Sequence, residues 1–388
     1  MLFTFSSAGQ IVFGPGVARQ AAGLAKTLGR CALLVTGRNR GRAAQLERDL
    51  GAAGLAVANF QVMAEPDIAC VSEGARAARE HGCDLVIGFG GGSVMDAAKA
   101  IAALAVNTRP ILDYLEVIGK AQSLENRPLP CIALPTTAGT GSEVTRNAVI
   151  RSPEHGVKVS LRSPHMLPRA ALVDPELTLD LPPAVTAATG FDALCQLLEA
   201  FVCSKANPLT DGLCREGLPR CARALQTAYY EARNLPARTD MAMASLFSGL
   251  ALANAGLGAV HGIAGPLGGM ITAPHGAICA RLLPLVAAAN IETLETGAEV
   301  TPYLARYHEA ATLLTGDPQA RARDLVNWLE QLAARLKIPS LSHWGLRAEK
   351  VPALVAQALK SSSMRGNPVP LEIASLEGII MAAMGEDG

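Results

Sequence analysis

Between Met241 and Ala280 the chain carries no Asp, Glu, Lys or Arg, yet it holds two of its seven histidines. These are His261, in Val260-His261-Gly262, and His275, in Pro274-His275-Gly276. A buried imidazole in a charge-free stretch must find a polar partner. One such histidine is commonly just a satisfied core residue. Two, each followed by glycine and joined by a Gly/Pro-rich connection, point to a shared task. A carboxylate is on offer at Asp192, and Gln196 four residues on shares its helix face. One carboxylate with two imidazoles suits Fe(II) or catalytic Zn(II) with coordination positions left open. Asp192, His261 and His275 are therefore the expected catalytic and metal-binding residues. Sequence separation does not by itself establish that they converge.

A second constellation is contiguous. Asp84-Leu85-Val86-Ile87-Gly88-Phe89-Gly90-Gly91-Gly92-Ser93-Val94-Met95-Asp96-Ala97-Ala98-Lys99 reads as a buried strand, a glycine turn and an amphipathic helix. Leu85 to Phe89 shows no polar alternation, as expected of a strand covered on both faces. Gly90 to Gly92 can take positive φ and bring a ligand close to bare backbone. The helix starting near Ser93 directs its first free N–H groups at the turn, which suits a phosphate or pyrophosphate. The other reading is an ordinary tight strand-to-helix turn. The spacing is not G-x-G-x-x-G, so it carries no standard dinucleotide fingerprint.

Both constellations need a frame. Leu2 to Phe5, Gln10 to Phe13, Ala32 to Thr36, Leu55 to Phe60, Cys131 to Leu134, Val157 to Leu161 and Ala170 to Val173 have strand character. Val17 to Leu28 and Asp67 to His81 have helical spacing. Alternating strands and helices predict a mostly parallel, Rossmann-like sheet with helices on its faces. Pro135-Thr136-Thr137-Ala138-Gly139-Thr140-Gly141-Ser142-Glu143 offers hydroxyls and amides to a ligand, or is a plain Thr/Gly turn. After Leu181-Pro182-Pro183 the periodicity is helical throughout. The expected division is an α/β nucleotide-binding domain over residues 1–180 and an all-α metal and substrate domain over 181–388.

Zero formal net charge gives no basic surface for nucleic acid or an anionic membrane. Nine cysteines without C-x-x-C spacing read as small buried residues of a reducing compartment. No basic region followed by an apolar core opens the chain, so a cytoplasmic location is expected. Met241 to Val260 is uncharged over a membrane-spanning length, but its Gly, Ala, Ser and Asn content favours a buried core helix.

The chain resembles the iron-containing (group III) alcohol dehydrogenases along essentially its whole length. The resemblance rests on Gly90-Gly91-Gly92-Ser93 with Asp96, on Pro135 to Glu143, and on Leu167-Pro168 through Val173-Asp174-Pro175-Glu176-Leu177-Thr178-Leu179. Asp192-Ala193-Leu194, Val260-His261-Gly262, Pro274-His275-Gly276 and Asn367-Pro368 extend it. It implies a dehydroquinate-synthase-like fold with the metal in the cleft, an NAD(P)-dependent alcohol dehydrogenase or aldehyde reductase acting on small alcohols or aldehydes, and a homodimer or a multiple of it. Cofactor binding is implied for Gly37, Gly90, Gly91, Gly92, Ser93, Asp96, Thr136, Thr137, Thr140, Ser142 and Lys158. Within that set Gly91, Gly92 and Ser93 hold the pyrophosphate, the threonines line the channel and Lys158 reaches the nicotinamide ribose.

Three departures stand out. Gln196 replaces the fourth metal ligand, a histidine, with a weaker neutral donor. Gly265 replaces the second histidine of H-x-x-x-H, to which proton exchange with solvent is generally assigned. Gly37 replaces an Asp common in NAD-preferring members, with Arg38 and Arg40 beside it. Removing an anion and adding guanidinium groups favours a 2′-phosphate, hence NADP over NAD, unless both arginines simply face water. The first two departures leave two rival readings: a metal-independent reductase of the maleylacetate-reductase kind, and a nucleotide-binding homologue without catalysis.

Overall fold

The computed structural model describes residues 2–297 and 301–385. Two compact units result. Residues 6–179 form one, and residues 2–5 join the described residues from 180 onward in the other.

The first unit is a six-stranded sheet in the order β1-β8-β5-β4-β2-β3, with every pair parallel. Its strands are β1 (Ile11–Phe13), β2 (Cys31–Thr36), β3 (Ala56–Gln61), β4 (Leu85–Gly90), β5 (Cys131–Pro135) and β8 (Ala170–Val173). β4 is buried along its whole length, which is why it lacks polar alternation. α1 (Ala21–Leu28), α2 (Ala44–Ala52), α3 (Ile68–Glu80) and α4 (Gly92–Leu104) connect the strands. The Asp67 side chain accepts from Cys70 N at 2.8 Å and so fixes the start of α3. Chain direction across the sheet reverses between β2 and β4. The carboxyl ends of these two strands, Thr36–Gly37 and Gly90–Gly91, therefore flank the switch point where open α/β sheets take ligands.

One expectation fails here. Residues 2–5 form no strand. Val157–Leu161 is a strand as expected, and it lies outside the main sheet: β6 (Asn147–Ser152) and β7 (Val157–Arg162) make a separate antiparallel hairpin. β6 escapes sequence reading because its buried face ends in Ser152 while Val149 points outward. The apolar alternation is thereby blurred.

Past Leu181 the described residues contain helices and no strand. They are α5 (Pro183–Val202), α6 (Pro208–Tyr230), α7 (Leu235–Asn254), α8 (Ala259–Met270), α9 (His275–Thr296), α10 (Pro302–Thr315), α11 (Ala322–Arg335), α12 (Val351–Ala358) and α13 (Ile373–Met384). α5 is the hub, packed against α6, α7 and α9. α5 and α9 have the length and apolarity of membrane-crossing helices, and most of that apolar surface is buried within this unit. The single helix expected over Met241–Val260 is in fact two, α7 and α8, bent by 97°. Gly256 at the break has φ +106°, which a side chain would resist. That break puts His261 in the first turn of α8.

Candidate metal centre and nucleotide cradle

Asp192, His261 and His275 converge. They come from the middle of α5, the start of α8 and the first residue of α9. Asp192 Oδ1 lies 3.4 Å from His261 Nε2 and 3.9 Å from His275 Nε2. Cys279 joins them, with Sγ 3.9 Å from His261 Nε2 and 3.7 Å from His275 Nε2. One donor atom from each of these four residues fits within 4.8 Å of all the others.

Glycines permit this closeness. A Cβ on Gly276 would stand 1.8 Å from Ala188 O, so the residue after His275 must be bare for α9 to approach α5. A Cβ on Gly258 would come within 2.8 Å of Glu199 Oε1. Glu199, on α5, organises His261. Its Oε1 accepts Val260 N at 2.7 Å, and its Oε2 stands 2.6 Å from His261 Nδ1. With Nδ1–H donated to a carboxylate, the lone pair is on Nε2 and faces the cluster, the usual arrangement behind a metal-binding imidazole. Asn367 fastens the same helix start: its Oδ1 accepts Ala259 N at 3.1 Å, and its Nδ2 donates to Asn290 Oδ1 at 2.7 Å.

The electrostatics call for a cation. Burial by itself lowers the affinity of His261 for a proton. The Cys279 sulfur and the carboxylates of Asp192 and Glu199 outweigh it and raise its pKa well above the ordinary value. His275 is raised against the same burial, chiefly by Cys279 and then Asp192. Burial likewise opposes ionisation of Cys279, but Cys195 and the two imidazoles hold it well below the usual thiol range. Anionic donors thus draw positive charge onto the imidazoles. Asp192 Oδ1 is buried with no hydrogen-bond partner. An orphaned carboxylate oxygen facing the Nε2 atoms of two imidazoles fits a divalent cation.

Gln196 is buried on α5, and its Oε1 accepts the Ser248 hydroxyl at 2.7 Å. The oxygen expected at the metal is thus already engaged by α7. A Cβ at Gly265 would meet nothing within 4 Å, so a side chain would have room there. Sequence reading missed Cys279 and Glu199. The signal was helical spacing: Cys279 is one turn beyond His275, and Glu199 follows Asp192 by two turns.

The nucleotide cradle is built differently. Gly90, Gly91 and Gly92 can take positive φ, but none of them does. Their need for glycine is steric. A Cβ on Gly90 would sit 2.5 Å from Val94 Cγ2, and one on Gly92 would sit 2.7 Å from Thr140 Cγ2. Gly91 caps α4 without any side-chain bond, leaving the helix start at Gly92 and Ser93 bare for an anion. Thr137 stands over Gly91, while Thr136 N donates to Gly90 O at 2.8 Å.

Asp96 and Ser142 are bonded to each other, Ser142 Oγ to Asp96 Oδ1 at 2.5 Å, and Asp96 Oδ2 accepts Val149 N at 3.1 Å. Lys99 is buried on the same helix, 3.3 Å from Asp96 Oδ1. It donates to Ser142 O at 2.8 Å, to Thr145 Oγ1 at 2.9 Å, and to Asn147 O. These side chains lock the Thr136–Ser142 loop onto α4. Lys158 is held by Glu65 Oε1 at 2.7 Å. Arg40 pairs with Glu47 at 2.8 Å, and Arg38 donates to Met63 O. Gly37 has its nearest neighbour, Val94 Cγ2, 3.7 Å from a would-be Cβ.

Comparisons with known proteins show what the whole chain resembles. Residues 8–175 match the family described as iron-containing alcohol dehydrogenase, and residues 186–384 match the C-terminal domain of the Fe-containing alcohol dehydrogenase family. The chain is 35% identical over 345 residues to alcohol dehydrogenase 4 of Saccharomyces cerevisiae (strain YJM789), covering 88% of this chain and 87% of the yeast protein. Among solved structures, a 1,3-propanediol oxidoreductase superposes with a TM-score of 0.92 at 32% identity, over 99% of this chain and 100% of that one. Sulfoacetaldehyde reductase from Bifidobacterium kashiwanohense, solved with NAD+, gives 0.88 at 29% identity with 100% of both chains covered.

Proposed function

Because the chain belongs to the iron-containing alcohol dehydrogenase family, an NAD(P)-dependent and metal-dependent family of oxidoreductases acting on CH–OH groups, we propose that Asp192, His261 and His275 hold its metal and that Gly90–Ser93 binds the cofactor pyrophosphate. The enzyme transfers hydride between the nicotinamide and a small alcohol or aldehyde. The observation that carries the site assignment is the buried, unpartnered Oδ1 of Asp192 facing the Nε2 atoms of both histidines. A divalent cation there, Fe(II) or Zn(II), supplies Lewis-acid polarisation of the substrate oxygen. His261 is kept in register by Glu199, and His275, whose side chain is 33% exposed, forms the open wall of the centre. With glycine at 265, the alcohol proton leaves through water or a cofactor ribose hydroxyl rather than through a histidine on α8.

On the cofactor side, Gly37, Arg38 and Arg40 favour the 2′-phosphate of NADP(H). Glu47 already neutralises Arg40, and an exposed ion pair is worth at most about 1 kcal/mol. Preference for NADP(H) over NAD(H) is therefore expected to stay below about tenfold. The reading extends to a homodimer or a multiple of it, the assembly implied by the resemblance.

The test is metal removal. Chelation should abolish alcohol-dependent change in nicotinamide absorbance with both cofactors, and Fe(II) or Zn(II) should restore it. Full turnover in demonstrably metal-free protein would refute the metal role.

A further inference from the structure

We propose that Cys279 is the fourth metal ligand of this chain, giving a carboxylate, two imidazoles and a thiolate, and that this donor set binds Zn(II) in preference to Fe(II). The proposal rests on the metal reading above and goes beyond it.

Geometry is the first ground. Donors 2.0–2.3 Å from a tetrahedral ion are about 3.3–3.6 Å from one another. Asp192 Oδ1 and Cys279 Sγ stand 3.4, 3.7, 3.9 and 3.9 Å from the Nε2 atoms of His261 and His275. Contraction of a few tenths of an ångström around an ion closes the set. Position on the helix is the second ground. Cys279 follows His275 by one turn of α9, so one rigid element presents both donors to the same point.

Elimination is the third. Gln196 stands where the resemblance expects a histidine, and its oxygen is bonded to Ser248. Cys195, the other nearby thiol, lies 3.8 Å from Nδ1 of His261, on the side of the ring turned to Glu199 and away from the lone pairs. Of the two sulfurs, only that of Cys279 approaches both Nε2 atoms. An unpartnered, buried carboxylate oxygen lies within 4.8 Å of it.

A thiolate changes which metal is favoured. Soft sulfur donors favour Zn(II), whereas a carboxylate with two imidazoles alone leaves the choice to Fe(II) chemistry and metal supply. A closed set of four protein donors also means that substrate oxygen enters as a fifth neighbour of the ion.

The test uses full-length protein stripped of metal by chelator and titrated with Co(II) alone, then with Zn(II) and Fe(II) in competition with a chromogenic chelator. The expected result is a near-ultraviolet thiolate-to-cobalt charge-transfer band, lost in Cys279→Ser and retained in Cys195→Ser. Cys279→Ser should also bind Zn(II) at least tenfold more weakly, with a smaller change for Fe(II). Should Cys279→Ser not fold, X-ray absorption of the wild-type zinc protein decides the matter through a sulfur neighbour at about 2.3 Å. Metal bound with only nitrogen and oxygen neighbours would overturn the thiolate ligand and leave the metal site standing. Failure to bind any of the three ions would overturn both.

Discussion

Each unit of this molecule contains a buried polar cluster, and the two are built to opposite rules. In the α/β unit, Asp96, Lys99, Ser142 and Thr145 are bonded to one another and to backbone. None of their buried atoms lacks a partner. In the helical unit, Asp192 shares its surroundings with two imidazoles and a thiol, yet its Oδ1 has none. A saturated cluster is frame: it holds α4 to the loop that follows β5. A cluster with an orphaned oxygen is a seat. Buried polar atoms in folded proteins are nearly always satisfied, so one left open signals a missing partner.

The contrast is broken most severely at Asp192. Asp192→Ala should abolish metal uptake and lower kcat/KM by more than about a thousandfold, roughly 4 kcal/mol. The metal-free protein should melt no lower than wild type, since the carboxylate removed carries a buried oxygen without a hydrogen-bond partner. Metal analysis, steady-state kinetics and melting of the apo form check the three parts. A lower apo melting temperature would mean that Asp192 is frame after all.

At Asp96 the opposite pattern is expected. Asp96→Ala removes the carboxylate nearest the buried Lys99 ammonium, and breaking such a pair costs about 3 kcal/mol. Denaturant unfolding should record that loss while metal stoichiometry stays at the wild-type value.

Glu143, buried beside this frame, gives the pH test. Burial raises its pKa from 4.5 to about 7, against the pull of Lys99. The folded state therefore binds a proton that the unfolded state has released between pH 4.5 and 7. Stability linked to this group is full at low pH and declines as pH rises through that window. Glu143→Gln removes the loss. Its advantage over wild type should be near zero at pH 4.5 and reach at most about 3 kcal/mol at pH 8. Equal advantage at both pH values would show that Glu143 does not titrate there.

The smallest expected effect is at Glu199, which touches the metal only through His261. Glu199→Gln keeps a hydrogen-bond partner for Nδ1 but removes the charge. Zinc affinity should fall by about 10–100-fold while every direct ligand remains. Competition with a chelator measures this.

The same contrast explains what could be read from the sequence. The cradle is a run of neighbours, from Leu85 to Ser93, so buried strand, glycine turn and helix start were visible as one pattern. Its detail was not. Gly90 and Gly92 are needed to clear Val94 and Thr140, and Thr140 lies far along the chain. Asp96 and Ser142 matched the expected motifs, but their partners turn out to be each other. The centre in the helical unit is made of side chains from three helices. Its two histidines stood out because their surroundings lack charge. Cys279 did not, because a buried cysteine is ordinary where apolar residues dominate. β6 was hidden by a polar residue on its inner face. Lys158 is drawn to Glu65 by an ion pair that no local pattern announces.

Asn367 has a temporal consequence. It clasps the amide of Ala259 and the side chain of Asn290, so the first turn of α8 is tied down by a residue 108 positions further along the chain. During synthesis that turn emerges long before its clasp does, and it is fastened only once Asn367 has been added.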